Sequence, residues 1–573
     1  MIDKNNEGFS LQLSGACILQ NNTFIDDALS IQGRAKSNWE HSILGNTIDG
    51  SPLGYFLREN DTIIHASQYG QIILVSANGT RISDETFQNK PRGIVLAYSE
   101  NCRLVNITVA ESQSNGYSLY SCANCTLENS TAIQNAGHGV YSKYSPSCGF
   151  ANNNASSNSG HGFVLFHSEK SSIVNSRIGA NSEQGIELVH SSNCIVENNT
   201  LKDNSLMITG INGSWMHNIS GNTIDGAQLG YFRGITNRAF DADEFGQLIL
   251  VDSHGVIVED GVLNKTCGGI QLAYCTQVTI TRVTVIGSST RAFFLWHTLS
   301  VTLSDNVAAD CRGDGFVLAS GTGCSFLRNT ANGNEGNGYF LGLPTGCVLA
   351  DNAALDNGDS GFVTRFGKSC TFDGNTAGTN VNDGFDVSAS ETLITRNEAH
   401  GNGRDGFHLS ISDSDVMKNV GTENQRYGAY LDSESYGNLL FLNRLGFNGI
   451  ADAINNGHAT LWHNDVFGNY WGAYDGRGTY SVPGAEESID FHPYEYYRAS
   501  PVIGHPDDIS YSYEPNGNGT AHAIIWRAWD WGHTAYRIWR DSALVSAATL
   551  HGSHIIIHEI YRDNLFLTVV VTV

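Results

Sequence analysis

Apolar residues in this chain recur at two periods at once. Within short runs they alternate, and across the chain the runs return every 23 residues. The segments GIVLAYSENCRLVN, GYSLYSCANCTLEN, GVYSKYSPSCGFAN, GFVLFHSEKSSIVN and GIELVHSSNCIVEN begin at Gly93, Gly116, Gly139, Gly162 and Gly185. A second run begins at Gly269, Ala292, Gly315, Gly338, Gly361 and Gly384, then steps by 22 to Gly406 and Gly428. The first and third positions after each glycine are apolar (Ile94 and Leu96, Phe163 and Leu165, Phe316 and Leu318). The second and fourth vary freely. Alternation of this kind predicts a strand with one buried face. Nine residues after the glycine comes a column of Cys17, Cys102, Cys125, Cys148, Ser171, Cys194, Val278, Val301, Cys324, Cys347, Cys370 and Leu393. An asparagine column follows (Asn22, Asn153, Asn199, Asn329, Asn352, Asn375). We expect it at tight bends, because Asn tolerates positive φ and can bond to its neighbours' backbone.

Propeller blades need roughly 40–50 residues each, and leucine-rich repeats carry L-x-x-L-x-L. The pattern instead predicts an all-β protein, a right-handed parallel β-helix of about 20 turns with 22–23 residues per turn. At ~4.8 Å per turn the turns form one rod on the order of 95 Å long. A longer duplication lies over this repeat. Asn46–Gly50, Leu53–Phe56, Tyr69–Gln71 and Ile94 recur 176 residues later as Asn222–Gly226, Leu229–Phe232, Phe245–Gln247 and Ile270. The expected division is 1–176 and 177–352 as duplicate modules, then 353–480 as a third module with its cap. Residues 57–69 and 233–245 are less regular and are expected to project from the rod. The aromatic segment 468–474 is suited to covering the last turn, since an open end exposes unpaired strand edges. Five of nine prolines fall between Pro483 and Pro515, which makes 481–515 a linker. Alternating runs in 516–573 suggest a small β-sandwich of immunoglobulin or fibronectin type.

Composition narrows the partners. Lys+Arg 32 against Asp+Glu 57 gives a net charge of -25, which repels nucleic acid and anionic lipid. No apolar run is long enough to span a membrane. Most of the 12 cysteines fall in the repeat column, where Ser, Val and Leu substitute, so they read as small buried hydrophobes. Gly8 already begins a repeat and no signal peptide precedes it. The expectation is a segment of a longer secreted precursor; the alternatives are a leaderless cytoplasmic protein or end-to-end self-association at an uncapped N-terminus.

Two outward-facing patches carry candidate chemistry. Lys143, Tyr144, His167, Glu187 and His190 offer bases and an acid on adjacent turns, with Tyr141, Phe166 and Trp296 as sugar-stacking surfaces. Arg365, Asp386, His408 and Asp432 occupy four successive turns. No cofactor is expected. Calcium is the one candidate ion, at Asp314, Asp359, Asp383 and Asp405. Gly137-His-Gly139 and Gly160-His-Gly162 sit one period apart and read as repeat consensus.

The repeat Gly-aromatic-x-Leu…Cys-x-Leu/Val…Asn and the closing Gly468-Asn-Tyr-Trp-Gly-Ala-Tyr474 resemble secreted β-helix proteins of the NosD-like type, within the pectin-lyase-like superfamily. Such proteins are abundant in archaea and often carry immunoglobulin-like tails. The resemblance implies a protein that binds or processes surface polysaccharide. The family's name-giving member supports copper-site maturation, but four scattered methionines give no soft-ligand cluster here. The expected function is therefore a non-catalytic extracellular or cell-surface solenoid that binds glycan or serves in adhesion. The alternative is a polysaccharide lyase, epimerase or glycoside hydrolase.

Overall fold

The computed structural model describes residues 2–3, 8–264, 268–485 and 488–495, together with the backbone of six strands between 512 and 572. The described chain is a parallel β-solenoid of about twenty turns, with helix limited to four single 3-10 turns. Equivalent residues of successive turns pair in parallel register. Ile94 lies beside Tyr117, then Val140, Phe163, Ile186 and Leu206. Strand spacing therefore places like on like. The inward rings of Phe293, Phe316, Tyr339, Phe362, Phe385 and Phe407 stack with centroids 4.6–4.9 Å apart.

The cysteine column points inward as expected, with Cys102, Cys125, Cys148, Cys194, Cys324, Cys347 and Cys370 buried. The eleven described cysteines are free thiols. The asparagine column lies at the bends between short strands as expected, but the left-handed residue is the one before each asparagine (Asn152, Asn198, Arg328, Asp351), and apart from the half-buried Asn22 its members are buried. Each buried amide bridges two turns. Asn352 Oδ1 accepts the Asn329 backbone N–H at 2.9 Å, while Asn352 Nδ2 donates to Phe326 O at 2.8 Å and to Asn375 Oδ1 at 2.9 Å. A second ladder through Asn334, Asn357, Asn380, Asn402 and Asn424 repeats the arrangement at the other bend. Backbone groups at these sharp corners lack strand partners, and the amides supply them.

The solenoid is not one rod. At Asp49-Gly50 and Asp225-Gly226 both residues take positive φ, and each pair closes a two-residue hairpin. The strand entering the hairpin and the strand leaving it share one sheet but run antiparallel. Turns continue to add along the same axis with strand direction reversed. A right-handed coil persists only if its core moves to the other face of that sheet. The burial pattern agrees. Ile72 and Leu74 enter the core of the new stack, while Ile73, Val75 and Ala97 pack with Leu29, Ile31 and Trp39 of the old one. At the second step Leu248 and Leu250 face the new core, whereas Ile249 and Val251 join the old one. Three stacks result: I up to residue 48, II from 51 to 224, and III from 227 to 495.

The breaks therefore fall at 49–50 and 225–226, and the expected boundaries at 176 and 352 lie in mid-stack. A repeat fixes spacing, not phase. Residues 57–69 and 233–245 do not project. Ile63–Ile64 pairs with Arg81–Ile82, and Ala239–Asp241 pairs with Ile257–Glu259, as parts of each stack's opening turn. Each abandoned edge is plugged by a glutamine. Gln71 Oε1 accepts Leu29 N–H at 3.0 Å and its Nε2 donates to Leu29 O at 2.8 Å. Gln247 does the same for Leu206 at 3.0 and 2.7 Å.

Trp471 closes stack III, buried against Tyr480 with ring centroids 4.3 Å apart and donating to Asp490. Tyr494–Glu495 still pairs with Tyr470–Trp471, so the stack runs on into the expected linker. Residues 496–511 of that linker lie outside the described residues. Beyond it the chain forms two three-stranded antiparallel sheets. Among the described residues no helix is long and apolar enough to cross a membrane.

Candidate functional site

The first step leaves a groove of about 750 Å³ where the edge strand of stack I meets the outer face of stack II. Tyr98, Tyr120, Tyr141 and Tyr144 line it beside Trp39, and Arg34, Arg92 and Lys143 also reach it. Among the described residues no carboxylate lines it, so its described lining is cationic within a chain of net charge -25. Trp39 packs on Tyr120 at 5.1 Å and Tyr120 on Tyr141 at 5.9 Å, giving a continuous ring surface. The second step is filled. Ser118 lines the groove, but its counterpart 176 residues on is Phe294, buried with its ring 6.3 Å from Trp215 and the Arg291 guanidinium 4.9 Å over it. The counterpart of Tyr120 is Trp296, which donates to Tyr274 and packs on His297. This places the predicted stacking residue Trp296 away from the open groove.

The first predicted patch continues from this groove along stack II and separates into two ladders. Tyr144, His167 and His190 have φ of 46–53° at the bend after the strand. Their rings stack at 5.3 and 4.9 Å. Lys143 lies 5.1 Å over Phe166 and 5.6 Å over Tyr144. Glu187 does not join these bases. It approaches His161 Nε2 at 3.2 Å, alongside Glu183 at 2.8 Å. His138 and His161 belong to the column immediately before the repeat glycine and were missed as functional candidates. They stack at 5.1 Å, and His138 stacks on Tyr141 at 5.4 Å. Asn115 Oδ1 accepts His138 N–H, His138 Nδ1 accepts His161 N–H, and His161 Nδ1 accepts Gln184 N–H. With its Nδ1 lone pair so used, each neutral ring carries its proton on Nε2. Burial lowers both rings to a pKa of about 4. Nearness alone would let His138, His161 and Glu183 surround a metal ion, but protonated Nε2 atoms offer it no lone pair.

In the second predicted patch Arg365 pairs with Asp386 at 2.5 Å. Asp432 is engaged by Ser410 and by the Glu434 amide. His408 instead faces Asp383 Oδ2 at 3.8 Å and Asp405 Oδ2 at 3.9 Å, two carboxylates from the same pre-glycine column. Burial disfavours a charged His408, but Asp383, Asp386 and Asp405 outweigh that and raise its pKa. Burial and the neighbouring Asp383 raise that of Asp405. Arg404 lies 3.4 Å from Asp383 and Arg426 3.6 Å from Asp405. Of the calcium candidates, Asp314 and Asp359 are bound by Asn337 and Asn382; only Asp383 and Asp405 come together.

The chain matches the family described as periplasmic copper-binding protein (NosD) over residues 57–207. It matches the right-handed β-helix region family over 164–342, 249–393 and 291–445. No curated protein matches in sequence. Among solved structures it is similar to the Azotobacter vinelandii mannuronan C-5 epimerase AlgE4 A-module (16% identity, 57% of this chain and 88% of that one, TM-score 0.32). Others are the Siphovirus 9NA tailspike receptor binding domain (9%, 79% and 88%, TM-score 0.29) and pectate lyase Pel9A (15%, 49% and 72%, TM-score 0.27). The copper named by the family description finds no soft donor set among the described residues. Met207 is buried in an apolar contact, Met216 is exposed, and the column thiols bond to carbonyls inside the coil. The stacked turns and the family matches together make this chain a right-handed parallel β-helix protein, similar to the NosD family over residues 57–207.

Proposed function

We propose that the chain is a non-catalytic glycan-binding solenoid working outside the cytoplasm, and that it takes acidic sugar chains in the groove at the first step. The observation that carries this reading is the groove's lining. Four tyrosines offer flat apolar faces to sugar rings, and Arg34, Arg92 and Lys143 offer charge-assisted hydrogen bonds to carboxylates. A net charge of -25 by itself disfavours acidic partners, but binding is decided by the local field within about a Debye length, and the groove's lining supplies a positive one. A periplasmic family and a chain of glycan-accessible ladders support the same setting.

The experiment is calorimetric titration of the full chain with oligouronates and with neutral oligosaccharides of equal length. Tyr120→Ala and Lys143→Ala are each expected to weaken uronate binding by more than about tenfold, two such contacts being typical binding anchors. Ser118→Phe, which copies the filled second step, is expected to abolish it. Equal binding of neutral and acidic chains, or affinity indifferent to Ser118→Phe, rejects the groove. Unsaturated or newly reducing products accumulating in the mixture would establish the lyase or hydrolase alternative instead.

A further inference from the structure

We propose that Asp383, Asp405 and His408 form a binding site for a single divalent transition-metal ion of the zinc or manganese class, on stack III and outside the segment matched to the copper-binding family. The case begins with the column before the repeat glycine. At most rungs its side chain accepts the next turn's backbone N–H with one atom and has nothing more to do. Asp383 and Asp405 follow that rule with Oδ1: Asp383 Oδ1 accepts Asp405 N–H at 2.9 Å, and Asp405 Oδ1 accepts Tyr427 N–H at 3.3 Å. Their geometry is thereby fixed by the fold, and the two Oδ2 atoms are turned to the same side, toward His408.

Asp383 Oδ2 has the Arg404 guanidinium 3.4 Å away and Arg426 lies 3.6 Å from Asp405 Oδ1, but between Asp405 Oδ2 and His408 there is a gap. Asp405 is fully buried, yet its Oδ2 has no hydrogen-bond partner, and neither has His408 Nδ1. An unpaired buried carboxylate oxygen costs on the order of 1–3 kcal/mol or more. Separations of 3.8 and 3.9 Å from His408 Nδ1 to the two Oδ2 atoms are too long for hydrogen bonds. They suit atoms sharing a cation at ~2.0–2.2 Å from each, and all three donor atoms lie within 4.8 Å of one another. The donor set decides the class of ion. Two carboxylates and one imidazole match zinc or manganese, whereas calcium prefers an all-oxygen shell of six to eight donors and copper(I) prefers sulfur. His408 is partly open to solvent, so the remaining coordination positions face water. The stack II cluster of His138, His161 and Glu183 differs on this point, because backbone N–H groups already occupy both imidazole Nδ1 atoms.

Full-length protein freed of metal by chelator dialysis is titrated with Zn²⁺ and Mn²⁺ against a chromophoric competitor, and with Co²⁺ followed by its visible absorption. One equivalent of Zn²⁺ or Mn²⁺ is expected, with Co²⁺ giving a ligand-field spectrum at the same stoichiometry. Asp405→Asn and His408→Gln are each expected to weaken binding by more than about tenfold, and His161→Gln is expected to leave it unchanged. Because His408 is only half-buried, whereas Asp405 is fully buried, His408→Gln keeps the test valid if Asp405→Asn does not fold. Absence of stoichiometric binding, binding untouched by His408→Gln, or binding of Ca²⁺ in place of the transition metals overturns the proposal.

Discussion

The histidine ladder of stack II makes a quantitative prediction about pH. His138 and His161 are held near a pKa of about 4 against 6.5 for a free ring, and burial is the largest cause for both. A proton on Nδ1 would also face a backbone N–H that now donates to it, from His161 in one case and Gln184 in the other. Glu183 and Glu187 beside His161 Nε2 pull the other way but are already served by a neutral Nε2–H. The unfolded chain thus binds more protons than the folded one between pH 6.5 and 4, so stability is full above 6.5 and falls as pH drops through that interval. Each ring contributes a slope of about 1.4 kcal/mol per pH unit, and by pH 4.5 the pair costs at most about 5 kcal/mol. The chain itself suggests the control. Asn115 and Asn337 perform the same acceptor role one and several rungs away, so His138→Asn combined with His161→Asn keeps the bonds and removes the titration. Urea unfolding followed by circular dichroism at pH 7 and 4.5 should show the double variant losing several kcal/mol less than the parent. Stability curves that run parallel for the two proteins would refute the assignment.

Three further outcomes follow from the packing. Asn352→Leu orphans the Asn329 N–H and removes the donor to Phe326 O, so it should destabilise by about 2–5 kcal/mol in urea titration. Gln247→Ala uncovers the Leu206 N–H, while Gln271 still donates to its carbonyl, and should cost about 1–3 kcal/mol, with faster amide exchange at Leu206 than at Leu188 one turn inside. Among the described thiols only Cys17 should react with a disulfide reagent in the native protein. The others are buried, and burial pushes Cys194 up to about 12 and Cys275 and Cys311 to about 11.

The regular part of this molecule was legible because every turn solves one packing problem with the same residues. Alternation after Gly93 or Gly315 gave the inward strand face, and the cysteine column gave the second wall. The asparagine ladder was legible as a bend column bonding to neighbouring backbone, but not which residue of the bend is left-handed, because Asn favours both left-handed bends and buried amide stacks and composition does not separate the two. The steps were invisible for a different reason. Asp49-Gly50 and Asp225-Gly226 signal a two-residue hairpin, but within a solenoid of Gly-containing bends they do not stand out. Only the coupling of Gln71 to Leu29, 42 residues away, shows that an edge was left behind there. His138 and His161 were discounted because they fell on the repeat, yet column membership explains only what Nδ1 does. Ring stacking and the Nε2 partners are outside the consensus.

This separation points to where function can sit on a solenoid. A column residue whose every polar atom is consumed by the neighbouring turn, such as Asn380 or Asn402, has nothing left to offer a ligand. Function requires a surplus atom or a surplus edge. In the separate column before the repeat glycine, aspartate at 383 and 405 meets the structural demand with one oxygen and keeps a second. Ending stack I at the first hairpin, with Ser118 where stack III has Phe294, leaves a strand edge and a ring-lined hollow beside it. Both candidate sites thus arise from small departures from a repeat that otherwise closes on itself, and the same test applies to any rung. The number of polar atoms a side chain carries beyond those its neighbours demand measures how much it can do for anything else.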